Sequence, residues 1–198
     1  MFHSIINRSS TIVVDELKIR LVTCKDAENI AIYYQKNRSH LQPWEPTREE
    51  NFFTMAGWEK RLEQIAILHR HEMAYYFIVT PRHSNQVLAV INFSNVVKSP
   101  FYACHVGYSL DSEYQGKGIM RRALQATINW LFEEKHFHRI IAVYMPHNEK
   151  SANVLYSVGF EKEGEAKDYL LINGQWRDHI LTAKINPNWR EPIKWNPF

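Results

Sequence analysis

The chain has 198 residues, of which 45% are hydrophobic and 13% aromatic, and its formal net charge is +3. This composition predicts a folded single domain rather than a disordered chain, and the charge is too small to argue for nucleic-acid binding. Its two cysteines, Cys24 and Cys104, offer no disulfide framework, which favours a reducing, cytoplasmic environment. No apolar run has the length of a membrane span or an export signal, so we expect neither.

Hydrophobic periodicity predicts alternating strands and helices after a polar N-terminal arm over residues 1–14. Apolar residues at every second position indicate strands, and those three or four positions apart indicate the buried face of a helix. Two prolines flank Trp44 and Glu45, so residues 41–46 are predicted to form a rigid loop rather than a helix. The predicted strands are 17–21, 75–80, 87–97, 103–110, 139–144, 160–166, 167–172 and 175–185, and the predicted helices are 26–37, 52–71, 119–136 and 151–158.

The order of these elements predicts an α/β domain with a mixed sheet. The dipeptide Asn173-Gly174 is typical of a type I′ turn, so the last two strands are expected to form a hairpin. No internal repeat or linker divides the chain, and we therefore predict one domain over residues 15–186. Residues 187–198 hold three prolines and are predicted to form an irregular tail.

The most informative stretch is QGKGIM, Gln115 to Met120, between a predicted strand and a predicted helix. Glycines at 116 and 118 would let the backbone approach a ligand, and the unpaired N–H groups at a helix start attract anions. Two interpretations are open here, a cradle for pyrophosphate and an ordinary helix start with two glycines. The stretch lacks the third glycine of the dinucleotide motif and does not match the nucleoside triphosphate motif.

Two spaced motifs together carry a family resemblance. The run Gln115–Gly118 resembles the Q/R-x-x-G-x-G/A coenzyme A motif of the GCN5-related N-acetyltransferases (GNAT family). Asn148, Ser151 and Gly159-Phe160 resemble the family's downstream N-x-x-S…G-F element, in the expected order. The segments DELKIRL, NRSHLQPWEP and GFEKEGEAKDYLLINGQWRDH are similar to the RimJ branch, the ribosomal-protein-alanine N-acetyltransferases. The resemblance covers residues 15–186.

The resemblance implies a splayed, mostly antiparallel sheet flanked by helices. In such a fold, the pantetheine arm of acetyl-CoA enters where two parallel strands part, here 103–110 and 139–144. The implied reaction is transfer of acetyl to the α-amine of an N-terminal alanine, and the family's best-known substrate is the fifth protein of the small ribosomal subunit. The implied coenzyme-binding residues are Tyr108, Ser109, Leu110, Gln115, Gly116, Lys117, Gly118, Ile119, Met120, Asn148 and Ser151.

The resemblance identifies the groups that transfer protons less directly than it identifies the coenzyme-binding residues. Leu155 stands where many relatives carry a catalytic tyrosine, with Tyr156 one step off, and the strand before Asn148 lacks their glutamate. Ser151 could hydrogen-bond the departing thiolate, or simply belong to a helix cap. The candidate bases are Glu45, His105, His147 and Asp168. Each also has a structural interpretation. Glu45 could pair with an arginine, and His105 could be a core histidine. His147 could face the solvent, and Asp168 could form an ion pair with Arg177.

The chemistry of the acceptor relaxes the need for a strong base. An α-amine has a reference pKa of about 7.7–8.0, against about 10.4 for lysine, so a fraction is already neutral at pH 7. The histidine pairs at 69–71 and 136–138 lack the remaining ligands of a catalytic zinc site, and no metal is expected.

We therefore predict a cytoplasmic, acetyl-CoA-dependent N-terminal protein acetyltransferase that acts on a ribosomal protein with a free N-terminal alanine. Association with the ribosome is possible, and neither membrane binding nor direct sequence-specific nucleic-acid binding is expected. One alternative is an acetyltransferase for a small amine or for another protein N-terminus. The other is a ribosome-associated binding factor with little turnover.

Overall fold

The structure is a computed structural model that describes residues 5–7 and 11–191. Its strands are β1 (Ile5–Asn7), β2 (Thr11–Val14), β3 (Leu17–Leu21), β4 (Tyr75–Pro81), β5 (Ala89–Val97), β6 (Ala103–Leu110), β7 (Arg139–Tyr144), β8 (Glu161–Ile172) and β9 (Gln175–Ile185). Its α-helices are α1 (Ala27–Lys36), α2 (Arg38–Leu41), α3 (Met55–Arg70), α4 (Ile119–Glu134) and α5 (Glu149–Ser157).

The described strands form a single nine-stranded sheet in the order β1-β2-β3-β4-β5-β6-β7-β9-β8. Among its neighbouring strands only β6 and β7 run parallel, because helix α4 connects them as a crossover. Their pairing covers residues 103–106 against 139–142, and the two strands part beyond Val106 and Ala142. The predicted mixed, mostly antiparallel and splayed sheet is confirmed, including the predicted parallel pair.

Strand alternation divides the sheet between two helical layers. Along β6, Val106 and Tyr108 pack with the layer of α4 and α5, whereas Ser109 faces α1, where its hydroxyl lies 2.8 Å from that of Tyr33. We call these two sides the α4 face and the α1 face. Representative core residues are Phe77, Phe93, Cys104, Leu124, Ile140 and Leu155 on the α4 face, and Ile30, Tyr34, Trp58, Leu62, Ile78 and Val90 on the α1 face.

Helix α4 follows the periodicity that predicted it. Met120, Leu124, Ile128 and Leu131 are all buried and form one face of the helix. The helix begins after Gly118, whose φ of 68° is left-handed and therefore suits glycine. It ends two residues before the predicted end at 136.

Polar contacts fix the loop before α4 to the end of α1. The Lys36 ammonium group lies 2.8 Å from an Asp111 oxygen and 2.7 Å from a Glu113 oxygen. The Asn37 side-chain oxygen accepts a hydrogen bond of 3.0 Å from the backbone N–H of Ser112. Because Asp111 and Asn37 are buried, these contacts hold the glycine loop in register with the α1 face.

Two predicted segments differ from the structure. Part of the predicted rigid loop is helical, because α2 extends to Leu41 and a 3-10 turn follows over Gln42–Trp44. Pro43 fits this turn since the first turn of a helix needs no backbone N–H donor. The predicted strands 160–166 and 167–172 are one strand, β8, with a register shift between Ala166 and Leu170 that interrupts its periodicity.

Smaller differences concern strand and chain ends. Strand β5 begins two residues after the predicted start at 87. Residues 5–7 and 11–14 of the predicted N-terminal arm are strands of the sheet, and β2 pairs with β3. The domain limits at 14 and 186 stay predictions, and residues 1–4, 8–10 and 192–198, which include most of the predicted tail, lie outside the described residues. Within residues 5–7 and 11–191, no helix combines the length and apolar character needed to cross a membrane.

The buried face of α4 predicts a site-specific loss of stability. Leu124 is fully buried, whereas Ile67 on α3 is 53% exposed. We expect Leu124→Ala to lower the free energy of unfolding by about 2–5 kcal/mol, because it leaves a cavity between α4 and the sheet. The matched Ile67→Ala change should cost less than about 0.5 kcal/mol. Urea titrations of both variants test this, and equal losses would contradict the packing described here.

Candidate active site

A cleft of about 240 Å³ opens where β6 and β7 part. Its walls come from both faces of the sheet, because the missing strand pairing leaves a passage between the layers. From the α4 face it is lined by Tyr108, Tyr144, Asn148 and Ser151. From the α1 face and the loop after α2 it is lined by Tyr34, Trp44, Glu45, Arg48, Asn92, Ser109 and His179.

Two hydroxyl groups meet on the α4 side of the cleft. The Tyr108 hydroxyl lies 2.9 Å from Ser151 Oγ and donates a 3.2 Å hydrogen bond to the Ser151 carbonyl oxygen. Burial raises the pKa of Tyr108, while the hydrogen bond with Ser151 opposes that rise. The tyrosine therefore stays protonated at neutral pH, and the pair can donate hydrogen bonds to an anion in the cleft.

Asn148 combines a structural role with a place in the cleft. Its side-chain oxygen accepts a 3.1 Å hydrogen bond from the Ser151 backbone N–H, which caps α5. Its amide nitrogen makes no hydrogen bond to any of the described residues, and so it can donate to a ligand. The cap interpretation of Asn148 is thus correct, and it leaves the coenzyme role open.

The α1 side of the cleft holds an ion pair. Glu45 lies 3.3 Å from the Arg48 guanidinium group, and its side chain is 20% exposed. Burial raises the pKa of Glu45, although Arg48 opposes this rise. The Glu45 backbone oxygen accepts a 3.1 Å hydrogen bond from the N–H of Asn173, which ties this loop to the β8–β9 turn. A carboxylate is thereby held in a partly dehydrated position beside the passage.

His179 is a residue of the cleft that sequence reasoning missed. It is 4% exposed, and its Nδ1 atom lies 2.9 Å from the carbonyl oxygen of Arg177. Its signal in the sequence was only its alternation with Ile180 along a predicted strand. That pattern indicates which face a side chain takes, but not that β9 would lie beside β7, where the sheet opens.

The glycine loop has the shape expected of a phosphate cradle. Gly116 and Gly118 have φ values of 73° and 68°, and a Cβ atom at either position would meet no atom within 4 Å. The first intrahelical hydrogen bond runs from Arg122 to Gly118, so the N–H groups of Ile119 and Met120 have no intrahelical acceptor. An open space in front of unpaired N–H groups fits a pyrophosphate. The Met120 side chain packs inward, with only 4% of its surface exposed.

Two side chains of this loop are engaged elsewhere. Gln115 lies 2.9 Å from His40 Nε2 through its amide nitrogen and accepts a 2.8 Å hydrogen bond from Lys150 through its oxygen. Lys117 turns back to donate a 3.1 Å hydrogen bond to the Glu113 carbonyl oxygen. The loop therefore presents backbone groups to the open space, and Lys117 does not point at it in this structure.

The structure separates the candidate bases. Glu45 lines the cleft with Ser151, whereas His105, His147 and Asp168 are not among its lining residues. His105 lies where β6 is still paired with β7, so it precedes the opening; its Nδ1 atom is buried without a partner, and burial lowers its pKa. The ring centroid of the exposed His147 lies 5.5 Å from that of Trp44, which does line the cleft.

Asp168 sits at the irregular step of β8, with a φ of 45°. Its backbone N–H donates a hydrogen bond to the Asp178 carboxylate. The ion pair between Asp168 and Arg177 that the sequence suggested does not form among the described residues. Asp168 belongs to β8, the edge strand beyond β9, and it is not among the residues that line the cleft.

Comparison with known proteins places the chain in a family. Residues 16–161 match the family model described as an acetyltransferase (GNAT) domain. The chain belongs to the GNAT acetyltransferase family. It is 48% identical to the [ribosomal protein uS5]-alanine N-acetyltransferase of Escherichia coli K12. The alignment spans 178 residues and covers 90% of this chain and 92% of the relative.

Solved structures agree with this assignment. The crystal structure of the ribosomal-protein-S5-alanine acetyltransferase from Vibrio fischeri is 53% identical, with a TM-score of 0.88 over 91% of this chain and 98% of that one. Mycobacterium smegmatis RimJ in complex with CoA-disulfide is 27% identical, with a TM-score of 0.80 over 89% and 83% of the two chains. As a GNAT enzyme, the protein is an acetyltransferase that uses acetyl-CoA as its acetyl donor.

The glycine loop generates a prediction about coenzyme binding. Gly118→Trp should weaken binding of coenzyme A at least about tenfold, because the indole ring would fill the phosphate space and the backbone conformation disfavours any side chain. Isothermal titration with coenzyme A measures this. Gly164→Trp is the matched control, because Gly164 also faces open space but lies on β8. Unchanged binding in Gly118→Trp would remove the phosphate role of this loop.

Proposed function

We propose that this enzyme acetylates the N-terminal α-amine of a protein, and that its substrate is the N-terminal alanine of ribosomal protein uS5. The observation that carries the proposal is the Glu45 carboxylate, which lies on one side of the cleft while the Tyr108–Ser151 hydroxyl pair lies on the other. The names of the two most similar relatives given above support the choice of substrate.

Acetyl-CoA would approach from the α4 face. Its pyrophosphate would lie against the N–H groups that follow Gly118, and its pantetheine arm would run along residues 107–110 of β6. Beyond Val106 the groups of β6 that face β7 have no strand partner in the described structure, so the pantetheine amides can pair with them. A backbone N–H of this strand would then point at the thioester carbonyl, where negative charge develops.

The acceptor would approach from the α1 face. The partly buried Glu45 carboxylate attracts an α-ammonium group more strongly than a fully hydrated one would, because the local dielectric is lower. The rings of Tyr34 and Trp44 line the same side of the cleft. Rings on that wall would favour a small first side chain such as that of alanine over a bulkier one.

Bond exchange would follow once the amine is neutral. The amine nitrogen attacks the carbonyl carbon, the C–S bond breaks, and the thiolate leaves on the side of the Tyr108–Ser151 pair. These hydroxyl groups can donate to the sulfur as its charge grows. Held in one cleft, the two substrates also gain from proximity.

A peptide assay tests the acceptor class. Thiol release from acetyl-CoA is expected with a peptide that begins with the alanine N-terminus of uS5. None is expected with the same peptide when its α-amine is blocked and an internal lysine kept. Release only with small amines would move the enzyme to a small-molecule substrate. Coenzyme binding without release, even with the intact ribosomal protein, would favour a binding factor.

Glu45→Gln tests the anchoring carboxylate. The change should lower kcat/KM for the peptide about 10- to 100-fold, because a hydrogen bond to a charged group is lost. Burial raises the pKa of Glu45, so wild-type affinity should fall as the pH drops toward that raised pKa, and the variant should not show this fall. Glu63→Gln, on the exposed surface of α3, is the control. Identical kinetics of the Glu45 and Glu63 variants would rule out the anchoring role.

Tyr108→Phe tests the leaving-group side. It removes one hydroxyl and keeps the ring, so kcat should fall about 10- to 100-fold with little change in KM for acetyl-CoA. Tyr75→Phe is the matched control, because Tyr75 is also buried in the α4 core and does not line the cleft. A fall in kcat of the same size in both variants would assign the effect to packing.

A further inference from the structure

His179 is the one imidazole that lines the cleft among the described residues. Its neighbour Ile180 pairs with Tyr144 and packs into the α4 core, so alternation directs His179 to the α1 face. This is the side on which Glu45 lies and from which the acceptor amine would enter. His179 therefore lies on the opposite side of the sheet from the Tyr108–Ser151 pair.

A single hydrogen bond fixes the protonation pattern of this ring. The partner of His179 Nδ1 is the carbonyl oxygen of Arg177, at 2.9 Å. A carbonyl oxygen can only accept, so Nδ1 carries a proton in every protonation state. In the neutral ring the lone pair is consequently on Nε2, which makes no hydrogen bond to any of the described residues. The backbone thus holds the histidine in the tautomer that a proton acceptor needs.

Titratable and charged groups lie near His179 on its side of the cleft. The titratable groups that share its side of the cleft are Glu45 and Arg48 of the loop after α2 and Tyr34 of α1. The adjacent Asp178 carboxylate also interacts electrostatically with the imidazole. From β8, the ring of Tyr169 packs 5.8 Å from the imidazole. Arg48 is already paired with Glu45, so the Glu45 carboxylate balances that cation within the same cleft. This side of the cleft therefore carries a paired arginine rather than an isolated cation.

We propose that His179 Nε2 is the base that removes a proton from the acceptor ammonium group. This inference rests on one part of the proposed function, namely that the acetyl acceptor is an amine. Glu45 binds the ammonium group and remains ionised, and His179 receives the proton. Within the described residues Nε2 makes no hydrogen bond, so it has no structural partner that would compete for this role.

The proton balance of the step is complete without another reactant. One N–H proton of the ammonium group moves to Nε2, and the freed lone pair forms the N–C bond. The C–S electron pair leaves with sulfur as the tetrahedral adduct collapses. The nitrogen of the adduct loses a second proton, which the thiolate takes up with the help of the Tyr108–Ser151 hydroxyl groups. The imidazolium ring then releases its proton to water.

His179→Asn separates the chemistry from the packing. The asparagine amide nitrogen can replace Nδ1 as a donor to the Arg177 carbonyl, whereas nothing replaces Nε2. With the alanine peptide, kcat should fall at least about 100-fold while KM for acetyl-CoA changes little. The rising acid limb of the wild-type kcat profile should disappear in the variant. His83→Asn, in the exposed turn between β4 and β5, is the control.

An acceptor of low basicity makes the test specific to proton transfer. A peptide whose N-terminus carries an aminooxy group is already neutral at pH 7, so it needs no base before attack. The kcat of His179→Asn should therefore lie within about tenfold of the wild type with this acceptor. A urea titration confirms that the variant is folded.

Two results would overturn the proposal. One is a variant that keeps more than about a tenth of the wild-type kcat with the alanine peptide. The other is an equal loss with both acceptors, which would mean that His179 only shapes the cleft. If the wild-type enzyme ignores the peptide but acetylates a small amine, the proposed function fails. The same comparison, made with that amine and an aminooxy analogue, still decides the role of His179.

Discussion

The end of pairing between β6 and β7 is the constraint on which the rest of the site depends. Backbone groups of a strand must find partners, and those of residues 107–110 that face β7 have none within the described structure. A parallel pair also requires a crossover, here α4, and its first turn must lie at the same end of the sheet as the start of α5. The glycine loop at the start of α4 and the Asn148 cap of α5 therefore lie at the same end of the sheet as the opening.

The opening also explains why unlike chemistry lies on its two sides. Side chains alternate along each strand, so Tyr108 and Tyr144 belong to the α4 layer while Ser109 and His179 belong to the α1 layer. A thioester held between the layers would present its sulfur to neutral hydroxyl groups and its carbonyl carbon to the side with the ion pair. The positive charge of the acceptor ammonium group and the negative charge of the leaving thiolate would thus be stabilised by different walls of the cleft. Neither wall would have to stabilise both charges.

Local signals were sufficient for the strands and helix that form the α4 side of the cleft, whereas distant contacts decide which residues line its α1 side. The strands 103–110 and 139–144 and the start of α4 follow from residues that are close in the sequence, and the structure has all three at the predicted positions. Glu45 and His105 were equivalent candidates in the sequence. The loop that is tied to the β8–β9 turn places Glu45 in the cleft, whereas strand register places His105 before the opening. His179 enters the cleft only because β9 lies between β7 and β8, and no short-range pattern contains that order.

The departure from the family's usual tyrosine has a physical explanation in this arrangement. Leu155 is fully buried in the α4 core, so that position of α5 serves packing rather than chemistry. The proposed mechanism needs a protonated hydroxyl near the departing sulfur, and it does not matter which element supplies it. Tyr108 reaches across from β6 to Ser151 on α5, and burial keeps its pKa above the ordinary value. A hydroxyl from the facing strand can thus take the place of one from the helix, while the helix gains a core residue.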